Sequence, residues 1–510
     1  MKLTTQQPNV IFILADDMGY GDVRYLNPEC KFPTPHLDRL GREGIAFRDA
    51  HSSSSVCTPS RYSILTGRYC WRTFLKKGVI GATDNSIVEP DRKTVAHFFK
   101  ENGYATGCVG KWHLGWEWAV KDGCVPSKSF KDWWHDQGEW IDFSKPVKKG
   151  PCDFGFDYYH GISGSLDMPP YVYVENDKPV GEPTSWGSAR EFIREGPRLQ
   201  SLRANNVLGT LTSKAVDFIH RQTADQPFFL YFPLTAPHKP ISPSPEFDGK
   251  SGLNPYADFC MEVDFRVGQV LQALNHMGFD DDTMVVFATD NGSAAVSAEA
   301  EFLERRYGHY SSHIYRGYKS DIWDGGHRLP FLVRWPNEIK PGTFCDETTG
   351  LFDFPATVAE LLGRGLGDGE CEDSVSFLSA LRGELIDKNG REALIHHSIS
   401  GKFAIRKDQW KLCFCPGSGG WTSPTDKEAV KNGSSEFQLY DVKTDPGEKD
   451  NLVGTKPDVE KALLKLLKTY VVNGRSTNGA PRANDPTVSN DQWEQLSFLP
   501  DMPGRFVKND

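Results

Sequence analysis

No apolar run in the 510 residues approaches the roughly twenty needed to cross a bilayer. The amino terminus, MKLTTQQPNV, has no hydrophobic stretch of the kind that directs export. As it stands, the chain therefore reads as soluble and cytoplasmic, with no membrane partner. Positive charge is in short supply too. Fifty-eight Lys and Arg against 68 Asp and Glu leave a formal charge of −10, which argues against nucleic acid as a partner and gives no ground for binding an anionic membrane surface. Any anionic substrate must be held by a local cluster of cations working against the overall field. The 11 cysteines are an odd number and lack the regular spacing of a disulfide framework or a zinc site. Cys413 and Cys415 form a C-x-C with no second pair, and are expected on one face of a strand. Repeats and low-complexity tracts are absent.

What is present alternates. The run from Asn9 to Ala15 is continuously apolar and of strand length, as a strand buried on both faces would be. Residues 35–44 read as a short amphipathic helix, 45–47 as a strand, 94–102 as a helix and 104–110 as a strand. A helix over 205–221, a strand over 227–232, a helix over 259–277 and a strand over 283–289 follow. Four of the apolar strands end in acidic, amide, Lys or His residues. That pattern predicts an α/β fold: a large doubly wound, mostly parallel sheet with helices on both faces and its site at the carboxyl edge. Residues 116–200, rich in Trp, Gly, Pro and charge, read as long loops over that edge. Beyond Gly363 the composition shifts; 403–406 and 410–414 alternate like antiparallel strands around a turn at Asp408, 436–441 resembles a third strand, and 459–470 a helix. The chain is too long for one ordinary core, so two parts are expected: a catalytic domain over 1–385 and a smaller C-terminal α+β subdomain with an antiparallel sheet over 386–510.

One segment organises the rest: Cys57-Thr58-Pro59-Ser60-Arg61-Tyr62-Ser63-Ile64-Leu65-Thr66-Gly67-Arg68. Ser, Thr and Pro stand where a helix would begin, and Gly67 where it would stop. Cys57 is thereby put near a helix N-terminus, which favours anions, and Arg61 adds a charge suited to a tetrahedral oxyanion. The segment resembles the signature C-x-P-S-R-x-x-x-L-T-G-R of the type I, formylglycine-dependent sulfatases of the alkaline phosphatase-like superfamily, with every fixed position present. In that family the cysteine is oxidised after synthesis to an aldehyde, so the resemblance implies conversion of Cys57 to formylglycine by a maturation enzyme. Many members are exported, and a removed leader would make this chain periplasmic or secreted.

Two adjacent carboxylates, Asp16 and Asp17, follow the first buried strand, and Asp290-Asn291 follow the strand over 283–289. Buried carboxylates side by side are costly unless neutralised. Hard oxygen donors of this kind suit Ca²⁺ first and Mg²⁺ second. The resemblance implies the same set, with the converted Cys57 as a further ligand. Lys111 and His113 match the family's K-W-H-x-G, His238 its A-P-H, and Lys319 its K-x-x-x-x-E-G-G-x-R-x-P, in which Asp324 here replaces the usual Glu. As the resemblance implies, the hydrated aldehyde attacks sulfur in line, Asp290 accepts its proton, His238 protonates the leaving alcohol and Lys319 holds sulfate oxygens. His113 deprotonates the second hydroxyl to expel sulfate, while Arg61 and Lys111 hold the diol.

For the substrate, Ser165 stands where the family often has a sulfate-contacting serine. Trp116, Trp118, Trp133, Trp134 and Trp140, with Asp167, are candidates to line a sugar pocket, and His396 and His397, just ahead of the C-terminal sheet, to reach over it. The residues around Ser165 and the C-terminal sheet resemble bacterial carbohydrate sulfatases, which points to galactose or N-acetylgalactosamine sulfate esters. Two other readings stand beside this one, a phosphonate or phosphate ester hydrolase of the same superfamily and a non-catalytic binder of sulfated glycans.

Overall fold

A computed structural model describes residues 7–126, 136–387, 390–485 and 495–496. The main sheet is built on β1 (Asn9–Ala15), β2 (Ile45–Phe47), β3 (Ala105–Lys111), β4 (Tyr158–Ile162), β5 (Phe228–Pro233), β6 (Thr283–Thr289), β7 (Phe331–Arg334) and β8 (Thr343–Cys345). Its order is β8-β2-β7-β6-β1-β5-β3-β4, extended by the short strands Val174–Glu175 and Lys178–Pro179 to ten. β1 pairs parallel with β5 on one side and β6 on the other, and β5-β3-β4 continue parallel. β7 runs antiparallel between β6 and β2. Val10 to Leu14 are fully buried because β1 lies at the middle of the sheet with both faces covered. Each such side chain contributes about 1.5–3 kcal/mol.

The helices α1 (Pro35–Glu43), α4 (Val207–His220) and α5 (Pro255–Met277) pack together as one layer, and α2 (Cys57–Thr66), α3 (Val95–Glu101) and α6 (Phe354–Leu361) as the other. The doubly wound, mostly parallel arrangement is therefore the observed one. β5 and β6 flank β1 and run parallel to it, so the carboxyl ends of all three lie side by side at the middle of the sheet, the usual edge for a site in such sheets.

Two expectations need correction. The stretch 116–200 is not all loop, since β4 lies in it and pairs with β3 from Gly107–Tyr158 to Lys111–Ile162. Its sequence, YYHGI, lacks the aliphatic run of β1; aromatic packing of Tyr159 against Trp116 takes the place of that run. β7 also went unforeseen, being only four residues long.

The C-terminal sheet has order β9 (Leu394–His397), β10 (Phe403–Lys407), β11 (Trp410–Cys413), β12 (Gln438–Asp441), antiparallel throughout, with Asp408 at φ 55° in the turn. Alternation decides its two faces. Phe403, Ile405 and Leu412 pack on α7 (Pro457–Val472) together with Tyr69 and Trp71 of the large part. Ala404 and Cys413 point the other way, onto Ile322 and Trp323, with Cys415 in the same cluster. His396 and His397 are inside β9, not ahead of the sheet.

Behind that second face lie three buried histidines. His51 Nδ1 is 3.0 Å from His327 Nδ1, His51 Nε2 is 2.9 Å from Asp49, and Lys411 Nζ is 3.2 Å from His327 Nε2. One proton lies between the two Nδ1 atoms, while His327 Nε2 is also 3.1 Å from Ile322 O and His51 Nε2 2.8 Å from Arg406 Nη1. The rings of His327 and His396 lie parallel, 8° apart with centroids at 3.8 Å, so their in-plane lone pairs run side by side and do not converge on a single ion. Burial pushes the pKa of all three below the ordinary value, well below for His327 and His396. They are neutral in the fold, whereas the unfolded chain takes up protons as pH falls through about 6.5. Stability is thus intact above that pH and is lost below it, by up to about 1.4 kcal/mol per group per pH unit. Denaturant unfolding from pH 7 to 5 should show this decline, and His396→Gln, which keeps a donor for Ser52 O, should remove one proton's worth of the slope.

Candidate active site

Cys57 is the first residue of α2, which the left-handed Gly67 (φ 65°) ends by donating its amide to Ser63 O. A side chain at position 67 would be strained in that conformation and would press on Cys371. The first turn carries no acidic residue and no side-chain cap, so its free amides face the site with their partial positive charge. Burial raises the Cys57 thiol above its ordinary pKa; as an unmodified cysteine it is a protonated thiol and a poor nucleophile.

The strand ends converge on it. Asp16 N donates to Ala236 O beyond β5, and Asp290 N to Ala15 O at the end of β1. Lys111 Nζ, at the end of β3, lies 2.7 Å from Asp16 Oδ2. Arg61 reaches from α2 to Asp290 Oδ2 with Nε at 3.0 Å and Nη2 at 2.8 Å, and its Nη2 is 3.4 Å from Asp16 Oδ1. Asp17 accepts from Lys319 Nζ at 2.6 and 2.7 Å and from Asn291 Nδ2 at 2.7 Å, with His238 Nε2 3.7 Å away. His113 Nε2 is 2.8 Å from Ile80 O, while its Nδ1 has no hydrogen-bond partner among the described residues. Asp17 (φ 68°) and His113 (φ 54°) both sit in the left-handed region, a strained conformation that persists where surrounding bonds fix it. All ten residues named from the motifs, from Asp16 to Lys319, thus meet in one buried cluster.

Its electrostatics are divided. Burial penalises the charge on Asp16, yet Lys111, His238 and Arg61 hold its pKa well below the ordinary range. Burial and then the Asp16 charge push Asp290 up. Burial also lowers His113 and His238, helped by Lys111 and by Lys319 respectively, so both imidazoles are neutral. Lys319 is raised despite its burial, because Asp17 grips it.

A sulfatase family model matches residues 8–364. The chain belongs to the sulfatase family. It is 32% identical over 515 residues to the N-acetylgalactosamine-6-O-sulfatase of Bacteroides thetaiotaomicron, covering 91% of this chain and 93% of that one. With human arylsulfatase A the identity is 31% over 494 residues, covering 91% and 88%. Among solved structures, a Bacteroides thetaiotaomicron 6S-sulfatase, reported with the metabolism of multiple glycosaminoglycans, superposes with a TM-score of 0.78 at 30% identity, covering 91% of this chain and 99% of that one. The protein is a sulfuric ester hydrolase.

The family generally implies a divalent metal ion, and the donors here fit one. Asp16 Oδ1 and Asn291 Oδ1 are buried without a hydrogen-bond partner, and Asp16, Asp17 and His238 present ligand atoms within 4.8 Å of one another. With Asp290 and Asn291 beside them at the end of β6, these donors make a hard, oxygen-rich set, and a dication among them would offset the repulsion between Asp16 and Asp290.

The substrate candidates divide. Ser165 and Asp167 are buried in the turn after β4; His238, Lys239 and Arg194 hold the Asp167 carboxyl below its ordinary range despite burial. Lys239, 3.6 Å from Asp167, and Arg194, 3.8 Å away, are cations that sequence reasoning missed. Lys239 follows His238 directly and was discoverable; Arg194 comes from a distant loop. His397 is not brought to the cluster. Its ring is buried against Phe403, its pKa is pushed down to about 3 by burial, and its carbonyl accepts from Ser54 Oγ and Ser55 N. It supports the loop before Cys57 through its main chain. Trp116 is fully buried against Trp118 and Tyr159. Trp118 and Trp140 line a cavity of about 650 Å³ with Asp84 and Glu117. Trp133 and Trp134 lie outside the described residues.

Proposed function

We propose that the enzyme removes a sulfate ester from a carbohydrate, with the 6-sulfate of N-acetylgalactosamine or galactose as the preferred group, after Cys57 is converted to formylglycine. The observation that carries this is the buried cluster that brings Arg61, Lys111, His113, His238 and Lys319 together with Cys57 at the head of α2. Arg61, Lys111 and Lys319 are three buried cations in a chain of net charge −10, and the two neutral imidazoles stand beside them; together they support binding of a tetrahedral anion such as a sulfate ester. The sugar and its position rest on the named activity of the 32% identical relative. The hydrated aldehyde at position 57 would supply both the attacking oxygen and, through its second hydroxyl, a way to expel sulfate. Asp16, Asp17, Asp290 and Asn291 would hold the divalent ion. Four protein donors suit Ca²⁺ better than Mg²⁺, which usually keeps several waters and takes one or two carboxylates; the ion would supply Lewis-acid stabilisation of developing negative charge.

The chain's own residues then have distinct tasks. Asp290, its Oδ2 held by Arg61, would take the proton of the attacking hydroxyl. His238, whose Nδ1 proton is held by Lys239 O at 2.6 Å, would take up a second proton on Nε2 as substrate binds and pass that one to the leaving alcohol. Lys319 would hold sulfate oxygens. The unpartnered Nδ1 of His113 would take the proton of the second hydroxyl. Arg61 and Lys111 keep the carboxylates in place while presenting charge to the site. Ser165 and Asp167, with Lys239 and Arg194, would contact the sugar side of the ester.

Sulfate release is the test. The enzyme is made with a formylglycine-generating partner and offered 4- and 6-sulfated galactose, N-acetylgalactosamine and N-acetylglucosamine beside an aryl sulfate. Faster release from 6-sulfated galacto sugars is expected. Release only from the gluco sugar, or phosphate release from phosphorus esters in preference to sulfate, would overturn the reading.

A further inference from the structure

Lys319 is gripped by Asp17, but the backbone that carries it is held from elsewhere. Its own amide donates to Ser293 O, just past the Asp290-Asn291 pair. The next residue, Ser320, is in the left-handed region at φ 85°, an uncommon and strained conformation for a residue with a side chain. Three bonds fix it: Ser320 N donates to Ser55 O at 2.8 Å, Ile399 N donates to Ser320 O at 3.1 Å, and Trp421 N donates to Ser320 Oγ at 3.0 Å. Two of those three come from the C-terminal subdomain.

Asp321 completes the attachment. Fully buried, its carboxylate accepts from five donors: Tyr318 N, Ser320 Oγ, Trp421 N, Thr422 N and Thr422 Oγ1. Ile322 N donates to Ser418 O at 2.8 Å. Gly420 lies so close that a Cβ there would come within 2.4 Å of Asp321 Oδ1 and 2.5 Å of Ser320 O. Such a density of bonds across two segments a hundred residues apart exceeds what is needed to cover an edge, and it converges on the residue after a charged side chain in the site.

We propose that the loop over residues 418–422 is a positioning element for Lys319, acting through Asp321 and Ser320, so that the C-terminal subdomain sets the geometry of a sulfate-binding cation it does not itself supply. This rests on the role proposed above for Lys319. Thr422 is the point at which it can be tested gently, because its hydroxyl reaches Asp321 Oδ2 from a partly exposed position.

Thr422→Val removes that hydroxyl at constant shape; Thr422→Ser keeps it. Both are made in the parent and in Lys319→Ala, and read as kcat/KM on an activated aryl sulfate and as affinity for inorganic sulfate. Thr422→Val is expected to lose tenfold or more in both readouts, Thr422→Ser to restore them, and Thr422→Val to have no further effect once Lys319 is gone. Equal losses with and without Lys319 would show a merely structural role and overturn the proposal, as would parent-like values for Thr422→Val. Asp321→Asn gives the same comparison should the valine variant fold poorly. A parent that releases no sulfate from any ester would overturn the functional reading, while the sulfate-affinity cycle still decides the positioning role.

Discussion

Cys57→Ala should lower sulfate release by on the order of 10⁵-fold, the scale on which an enzyme loses its nucleophile, without lowering stability by more than about 1–2 kcal/mol. The two expectations come from different facts. Position 57 is almost fully buried at the start of α2, where alanine is a good helix residue and the deleted sulfur leaves only a small space. The chemistry has no substitute: Ser60 and Ser63 are committed to Ser54 O and Pro59 O, and the neighbouring Thr58, whose Oγ1 has no hydrogen-bond partner among the described residues, carries a single hydroxyl with no second one to expel sulfate. Cys57→Ser retains an oxygen but lacks a second hydroxyl, so it should at most turn over once and stay sulfated, which intact mass would reveal. Activity of the alanine variant within tenfold of the parent would refute the role given to this residue. Unchanged glycan binding by the variant, beside a matured parent that releases nothing, would instead favour the binder.

Replacing Asp17 should cost both activity and stability, and the two losses should separate. Asp17→Ala strips Lys319 of its partner 302 residues away in sequence and leaves a buried ammonium uncompensated, a penalty of about 3–5 kcal/mol. It also removes one hard donor from the oxygen set, so the stabilisation a bound ion confers, about 2.7 kcal/mol at a hundredfold excess over its Kd, should shrink or vanish in melts with and without Ca²⁺. Adding Lys319→Met to Asp17→Ala removes the orphaned charge. The double variant should regain most of the metal-free stability and none of the activity. Additive destabilisation of the two changes would contradict the pairing, because residues in one buried ion pair are expected to couple. A full Ca²⁺ response in Asp17→Ala would contradict the ligand role.

The sequence alone determined a good deal of this. The strands β1, β5 and β6 are visible as apolar runs because both their faces are covered, and the turn residues that follow them are polar because they stand at the open edge of the sheet. The head of α2 is legible for an equally local reason, since Cys57, Pro59 and Gly67 set the start and stop of one helix within a single short segment. Those signals need no knowledge of the rest of the chain, and through the family resemblance they named every member of the buried cluster.

Only the tertiary structure decided who pairs with whom. Nothing local says that Lys319 belongs to Asp17 and Lys111 to Asp16, or that Arg61 spans Asp16 and Asp290; register between distant strand ends fixes those contacts. β4 escaped notice because Tyr159 is buried by aromatic neighbours from other segments and not by an aliphatic run of its own. His397 looked like a polar residue free to reach a substrate, whereas strand alternation in β9 turns its ring onto Phe403 and leaves its carbonyl to support the loop before Cys57. Trp116 was miscounted for the same reason: an aromatic side chain carries no local mark of whether it faces a cavity or a core. The hold of residues 418–422 on Ser320 and Asp321 is the extreme case, a set of main-chain and carboxylate bonds between segments that meet only when the C-terminal sheet lays its second face on Ile322 and Trp323.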